Sequence, residues 1–340
     1  MGLALLVSAC ASLNAQPGPA ITPPQLEADG FVAADGAVLP GRRWMPDAGQ
    51  NPGQNPRAVV LALHGFNDYS KAFDTAPGAP GVGPFLAARG FAVFAYDQRG
   101  FGRAPHFGLW PGGAALAADF TAFARVLRAR YPGVPLYGLG ESMGGAVVMT
   151  ALAGTDPPPL DGAILVAPAV WARSTMPWYY RAALWTSVHV MPGWKPTGRN
   201  LGRQASDNID MLKDNGRDPL FIKHTRIDSV FGLVDLMDEA MQAADKQKLP
   251  VLYLTGRNDQ IIPPKAAAQA MDRLLATDPL AKGAFYDQGW HMMLRDHDAA
   301  TVLGDIAAFL ADRLAPLPSG ADADAMAHLR ARAQKPWVGK

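Results

Sequence analysis

The sequence predicts an α/β fold, a mostly parallel central sheet with helices on both faces and one large insertion. Three observations carry this expectation. Short, continuously apolar runs recur along the chain, as in strands buried on both faces. Helical stretches separate the runs, and a strand–helix alternation of this kind builds a parallel sheet. Residues 171–240 break the alternation with a segment rich in tryptophan and proline.

Composition narrows the function classes. The chain has 340 residues, and 31 Lys+Arg against 30 Asp+Glu leave a net charge of +1, which gives no sign of a nucleic-acid surface. Hydrophobic residues are 49% and charged residues 18%, enough for a large buried core. Length alone, at about 150 residues per domain, suggests two domains, but a large α/β fold with an insertion reaches the same size. A single cysteine, Cys10, rules out a disulfide framework and a Cys-based zinc site. No apolar run reaches the roughly 18 residues of a membrane-spanning helix.

Residues 1–29 read as a processing segment and a tether. Residues 1–15 form a short apolar run ending in small residues, and Val7-Ser8-Ala9-Cys10 resembles the lipobox of bacterial lipoproteins. That resemblance implies cleavage before Cys10, acylation of the new terminus and anchoring at the cell envelope. The alternatives are a secretory signal cut after Ala9 or Ala15, or an unprocessed cytoplasmic tail. Pro17, Pro19, Pro23 and Pro24 suit an extended tether.

The core is expected in two pieces, 30–170 and 241–315. Residues 31–45 alternate around Asp35-Gly36, a hairpin signal, and 48–56 is a polar loop. Strands are expected at 58–63, 91–96, 134–139, 163–167, 251–254 and 284–286. Helices are expected at 84–89, 113–130, 142–153, 265–276 and 299–314. Residues 171–240 are expected as a cap over the ends of the strands, and 316–340 as a polar tail with a helix at 322–333.

Gly140-Glu141-Ser142-Met143-Gly144 fits G-x-S-x-G between a strand and a helix, the context of a nucleophile elbow. The tight turn lifts the Ser142 hydroxyl above the sheet, and the new helix directs its free N–H groups at the same place. A serine hydroxyl needs a base, and the base needs an orienting carboxylate. In the chain order Ser, acid, His, the base is His291, just after the last strand, with His297 as fallback; His189 and His224 fall in the insertion. The acid is Asp259, on the loop after the fifth run, with Asp235 and Asp228 as weaker alternatives. The oxyanion donors are expected to be the backbone N–H groups of Met143 and of Phe66, in His64-Gly65-Phe66-Asn67-Asp68. His64 and Asn67 are candidates for the pocket wall, although His64 also suits a structural role in its loop. Asn67 and Asp68 suit turn caps equally well. Asp97-Gln98-Arg99-Gly100-Phe101-Gly102 lacks the full dinucleotide fingerprint and reads as a structural loop in which Asp97 and Arg99 pair. No metal-ligand cluster appears, and neither a metal nor a cofactor is implied.

Together these motifs resemble the α/β-hydrolase superfamily, and within it the monoacylglycerol lipase and lysophospholipase branch. The resemblance covers roughly residues 30–315 and rests on His64-Gly65, Tyr96–Gly102, the elbow, Gly256-Arg257-Asn258-Asp259 and Gly289-Trp290-His291. It implies a helical cap and a serine hydrolase acting on mono-acyl esters. Trp171, Trp178, Tyr179 and Trp185 would then line an apolar trough for the acyl chain, or else pack the cap onto the core. Three further readings stay open, the first a general carboxylesterase. An aminopeptidase or amidase would use cap carboxylates such as Asp207, Asp210, Asp214 and Asp218 to hold a free amino end. A non-catalytic lipid-binding protein would not need the serine, aspartate and histidine set.

Overall fold

The structure, a computed structural model, describes residues 15–47, 55–196 and 202–337. The lipobox-like segment ending at Cys10 and most of the expected polar loop at 48–56 lie outside the described residues.

The expected tether is fastened to the body. Ala15 is buried and donates its N–H to the Trp110 carbonyl, while Ile21 and Thr22 donate to Ala34. Residues assigned to that tether also form a strand that the sequence reading missed, β1 (Gln25–Glu27). It pairs antiparallel with β2 (Gly30–Val32), which pairs antiparallel with β3 (Val38–Trp44) across the expected Asp35-Gly36 turn.

β3 then crosses into the main sheet, pairing antiparallel with β5 (Ala92–Tyr96). β5 pairs in parallel with β4 (Val59–Leu63), and the parallel order continues through β6 (Leu136–Glu141), β7 (Gly162–Val166), β8 (Val251–Gly256) and β9 (Lys282–Tyr286). The resulting order is β1-β2-β3-β5-β4-β6-β7-β8-β9.

Alternation explains why the central runs are apolar throughout. In β4, Val59, Leu61 and Leu63 enter one core, while Val60 and Ala62 enter the other. The second core is covered by α1 (Val82–Ala87) and α8 (Ala299–Ala311), through Val82, Leu86, Val302, Ile306 and Phe309. The first is covered by α2 (Gly113–Arg130), α3 (Met143–Leu152) and α7 (Pro264–Leu275). Each fully buried Leu or Phe contributes about 1.5–3 kcal/mol relative to exposure, so this two-sided burial holds the strand ends in place.

Residues 171–240 carry α4 (Trp178–Val190), α5 (Ile209–Arg217) and most of α6 (Ile227–Ala243). They do not form one separate layer, because Leu233, Val234, Leu236, Met237 and Ala240 of α6 are buried in the first core. The C-terminal tail is also not wholly polar: α9 (Ala325–Ala333) buries Ala325 and Leu329 in the same core.

Candidate active site

The elbow forms because β6 and α3 meet without a connecting loop. Ser142 takes φ 53 and ψ −114, a left-handed conformation that costs an ordinary side chain energy. Gly140 and Gly144 make room for it. A β-carbon on Gly140 would stand 2.4 Å from the backbone of Gly144, and one on Gly144 would stand 2.2 Å from the Leu63 carbonyl oxygen. The Ser142 N–H donates to the Val166 carbonyl (2.9 Å), which ties the turn to the neighbouring strand.

Three loops at the C-terminal ends of parallel strands converge on this serine. His291, after β9, has Nε2 2.9 Å from Ser142 Oγ and Nδ1 2.9 Å from Asp259 Oδ2. An ionised Asp259 only accepts, so Nδ1 carries the proton and Nε2 is free to accept from the serine hydroxyl. Asp259, after β8, is held by its other oxygen, which accepts from the N–H groups of Ile261 (2.7 Å) and Ile262 (2.9 Å). The two loops are also tied directly, since Asn258 N–H donates to the Gly289 carbonyl (2.9 Å).

Burial of the His291 ring favours its neutral form. The negative charge and hydrogen bond of Asp259 outweigh that, so its pKa is raised above the ordinary histidine value.

The loop after β4 supplies the third side. A β-carbon on Gly65 would lie 3.3 Å from that of Ser142, so this loop passes beside the hydroxyl. Phe66 turns its ring edge-on to Phe101 (5.7 Å) and Trp110 (6.2 Å). Met143 is the first residue of α3, so its N–H has no carbonyl one turn back in the helix. An oxygen anion next to Ser142 would meet this positive helix end.

Other candidates fall elsewhere. His64 is fully buried with both ring nitrogens engaged: Nδ1 donates to the Gly65 carbonyl (2.8 Å) and Nε2 accepts from Gln98 N–H (3.0 Å). Burial lowers its pKa, and it braces the loop rather than walling a pocket. Asn67, at φ 69, binds the segment leading into α6 through Thr225 Oγ1 (2.8 Å) and Ile222 N–H (2.9 Å). His297 is exposed and donates its backbone N–H to Asp207.

Trp178, Tyr179 and Trp185 do not face inward as a trough would require. They are 75%, 54% and 59% exposed on α4, whose one buried residue is Val188. Trp171 is half-buried, edge-on to Tyr180 and Trp337.

The expected Asp97–Arg99 pair is also replaced. Asp97 accepts from the backbone N–H groups of Ser70 (2.9 Å) and Arg103 (2.8 Å). Arg99 reaches away from it to Asp35 (2.8 Å) and Asp119 (2.7 Å). The chain leaves β5 at Tyr96, so the strand alternation that would put residues 97 and 99 on one face no longer holds.

Sequence reasoning missed Arg295. Its buried guanidinium contacts Asp68 (2.7 Å) and Glu141 (3.1 Å) behind the elbow. The signal available was one cation, four residues after His291, in the apolar stretch Met292-Met293-Leu294.

Comparison with known proteins agrees with this architecture. The family model described as "Serine aminopeptidase, S33" matches residues 54–298. The chain is 26% identical over 300 residues to the monoglyceride lipase of Rattus norvegicus, covering 84% of this chain and 90% of that one. It is 24% identical over 295 residues to the monoacylglycerol lipase of Mycolicibacterium smegmatis, covering 84% and 96%. The crystal structure of the Paleococcus ferrophilus monoacylglycerol lipase superposes with a TM-score of 0.64 at 21% identity, covering 81% and 99%. The strand order, the serine elbow and a match over most of the chain lead to one assignment: the chain belongs to the serine aminopeptidase S33 family and has the α/β-hydrolase fold.

Proposed function

We propose that the chain hydrolyses carboxylic esters of mono-acyl lipids, monoacylglycerols first, through an acyl-enzyme on Ser142. The observation that carries this reading is His291 bridging Ser142 Oγ and Asp259 at 2.9 Å on each side.

Ser142 Oγ attacks the ester carbonyl and its proton passes to His291 Nε2. The oxyanion takes hydrogen bonds from the Phe66 and Met143 N–H groups. His291 then gives its proton to the departing alkoxide, and the alcohol leaves. Water, losing a proton to His291, attacks the acyl-enzyme; His291 returns that proton to Ser142 Oγ as the acyl–oxygen bond breaks, and the fatty acid leaves. Asp259 holds the ring in place and stabilises the imidazolium in each half. The similar lipases supply the substrate class, with lysophospholipids as a related one.

The family's name keeps an aminopeptidase as the second reading. Four carboxylates of the cap that could hold a substrate amine already have partners. Asp207 accepts from His297, Asp210 pairs with Lys213, Asp214 with Arg217, and Asp218 with Tyr69 and Lys71.

We infer envelope anchoring through Cys10 on separate grounds. The ground is Val7-Ser8-Ala9-Cys10, which resembles a lipobox. Four residues lie between Cys10 and the buried Ala15, a span of at most roughly 18 Å. Gln16 and Val188 of α4 line one cavity, so an anchor there would leave the body beside the exposed aromatic residues of α4. Trp and Tyr side chains favour a lipid–water interface.

The test is turnover of monoacylglycerols, lysophospholipids, p-nitrophenyl esters and aminoacyl-nitroanilides by protein lacking residues 1–14, with Ser142→Ala beside it. Ester turnover lost by about 10³-fold or more in the variant is the expected result. Turnover of anilides alone would move the assignment to a peptidase.

A further inference from the structure

Behind the elbow lies a buried charge cluster that the proposed reaction does not use. Arg295 Nη2 donates to Asp68 Oδ2 (2.7 Å) and to Glu141 Oε2 (3.1 Å). All three side chains are 5% exposed or less. Asp68 also closes its own loop, accepting from Tyr69 N–H (2.9 Å).

Each member belongs to a different segment of the site. Asp68 lies two residues after Phe66, Glu141 directly precedes Ser142, and Arg295 lies four residues after His291. The histidine loop is itself braced: Trp290 N–H donates to Asp296 (2.8 Å) and Arg295 N–H to the Met292 carbonyl (2.8 Å). A shift of one loop must therefore stretch an ion pair between side chains that are almost fully buried.

We propose that Arg295 is a positioning residue that locks the oxyanion loop, the nucleophile elbow and the histidine loop into one catalytic register. The proposal rests on the serine hydrolase reading above. Two details favour register over stability as its purpose. Two carboxylates share one guanidinium, and Glu141 Oε1 and Arg295 Nε are buried with no hydrogen-bond partner among the described residues, so the cluster is a poor source of folding energy. Burial also raises the Glu141 pKa despite the nearby Arg295. Catalysis, by contrast, needs donors and nucleophile held within about 0.5 Å of the working geometry.

The experiment compares kcat, KM and thermal stability for Arg295→Lys, Arg295→Met and the triple variant Asp68→Asn/Glu141→Gln/Arg295→Met, with Ser142→Ala as reference, on one p-nitrophenyl ester. Arg295→Met strands two carboxylates, so it is expected to be the least stable. The triple variant removes every charge at similar side-chain volumes, and it is expected to be more stable than Arg295→Met because no carboxylate is stranded. Its kcat is expected to fall at least ten-fold with KM within two-fold, because the loops lose their common tie while substrate contacts remain. Arg295→Lys, which keeps the charge, is expected to recover part of that loss. A folded triple variant with the parent kcat would overturn the proposal while leaving Ser142 dependence intact. Turnover that survives Ser142→Ala would overturn the hydrolase reading and this proposal with it.

Discussion

Trp337 donates its indole N–H to the backbone carbonyl of Asp259 across 3.3 Å. The residue lies past the family match, which ends at 298. Its ring stands edge-on to Trp171 at 5.2 Å, and the Arg203 guanidinium sits 4.3 Å from it. Trp337 thus joins the loop of Asp259 to Trp171 and Arg203, which flank α4 in the chain. Trp337→Ala is expected to lower stability by about 1–3 kcal/mol, from lost aromatic packing and one hydrogen bond. Trp337→Phe keeps the ring and is expected to recover more than half of it in a urea titration. A Phe variant as weak as Ala would show that the N–H, not the ring, is what matters.

The pH profile should report His291. Only the neutral ring accepts the serine proton, so kcat/KM rises with pH as His291 loses its charge. Its raised pKa places this acid limb above the ordinary value of 6.5. Asp259→Asn removes the charge that holds the value up. The limb is then expected to move to lower pH, with kcat down by about 10⁴-fold. An unmoved limb in the variant would assign the titration to another group.

Arg99 is the counter-charge for two carboxylates on separate elements, Asp35 in the β2–β3 turn and Asp119 on α2. Arg99→Met leaves both without it and is expected to cost about 3–5 kcal/mol. The loss should shrink at acid pH, where the stranded carboxylates take up protons; burial already raises the pKa of Asp119. Denaturant midpoints at neutral and acid pH check both statements, and a pH-independent loss would contradict the second.

Trp178 and Trp185 are more than half exposed, so replacing both with serine is expected to change stability by less than about 0.5 kcal/mol. If α4 meets a lipid surface, turnover of dispersed monoacylglycerol falls several-fold in this double variant. Hydrolysis of a soluble short-chain ester stays the same. Equal loss on both substrates would place these rings in the reaction site itself.

Much of the fold and of the site was legible where local sequence dictates local geometry. The elbow is an example: only small residues at 140 and 144 admit a left-handed Ser142, and five consecutive residues state that condition. The parallel strands were legible because two-sided burial leaves a continuous apolar run, as in 59–63. The expected helix at 113–130 matches α2 residue for residue. β1 was missed because three residues after a proline pair carry too little pattern to be read as a strand.

The order of Ser142, Asp259 and His291 along the chain followed from where each sits after its strand, so the sequence by itself determined the fold class and the candidate residues for the reaction. Only the tertiary structure decided which charges meet and which faces are covered. Arg99 left Asp97 for Asp35 and Asp119, and Arg295 met Asp68 and Glu141 from 227 and 154 residues away. Pairing through space depends on strand register and on the direction of each side chain leaving its loop, neither of which is written in residue spacing. The aromatic residues of α4 make the same point. They run around much of the helix, so periodicity could not say which would be buried; docking of α4 on α6 chose Val188 and left Trp178 and Trp185 exposed.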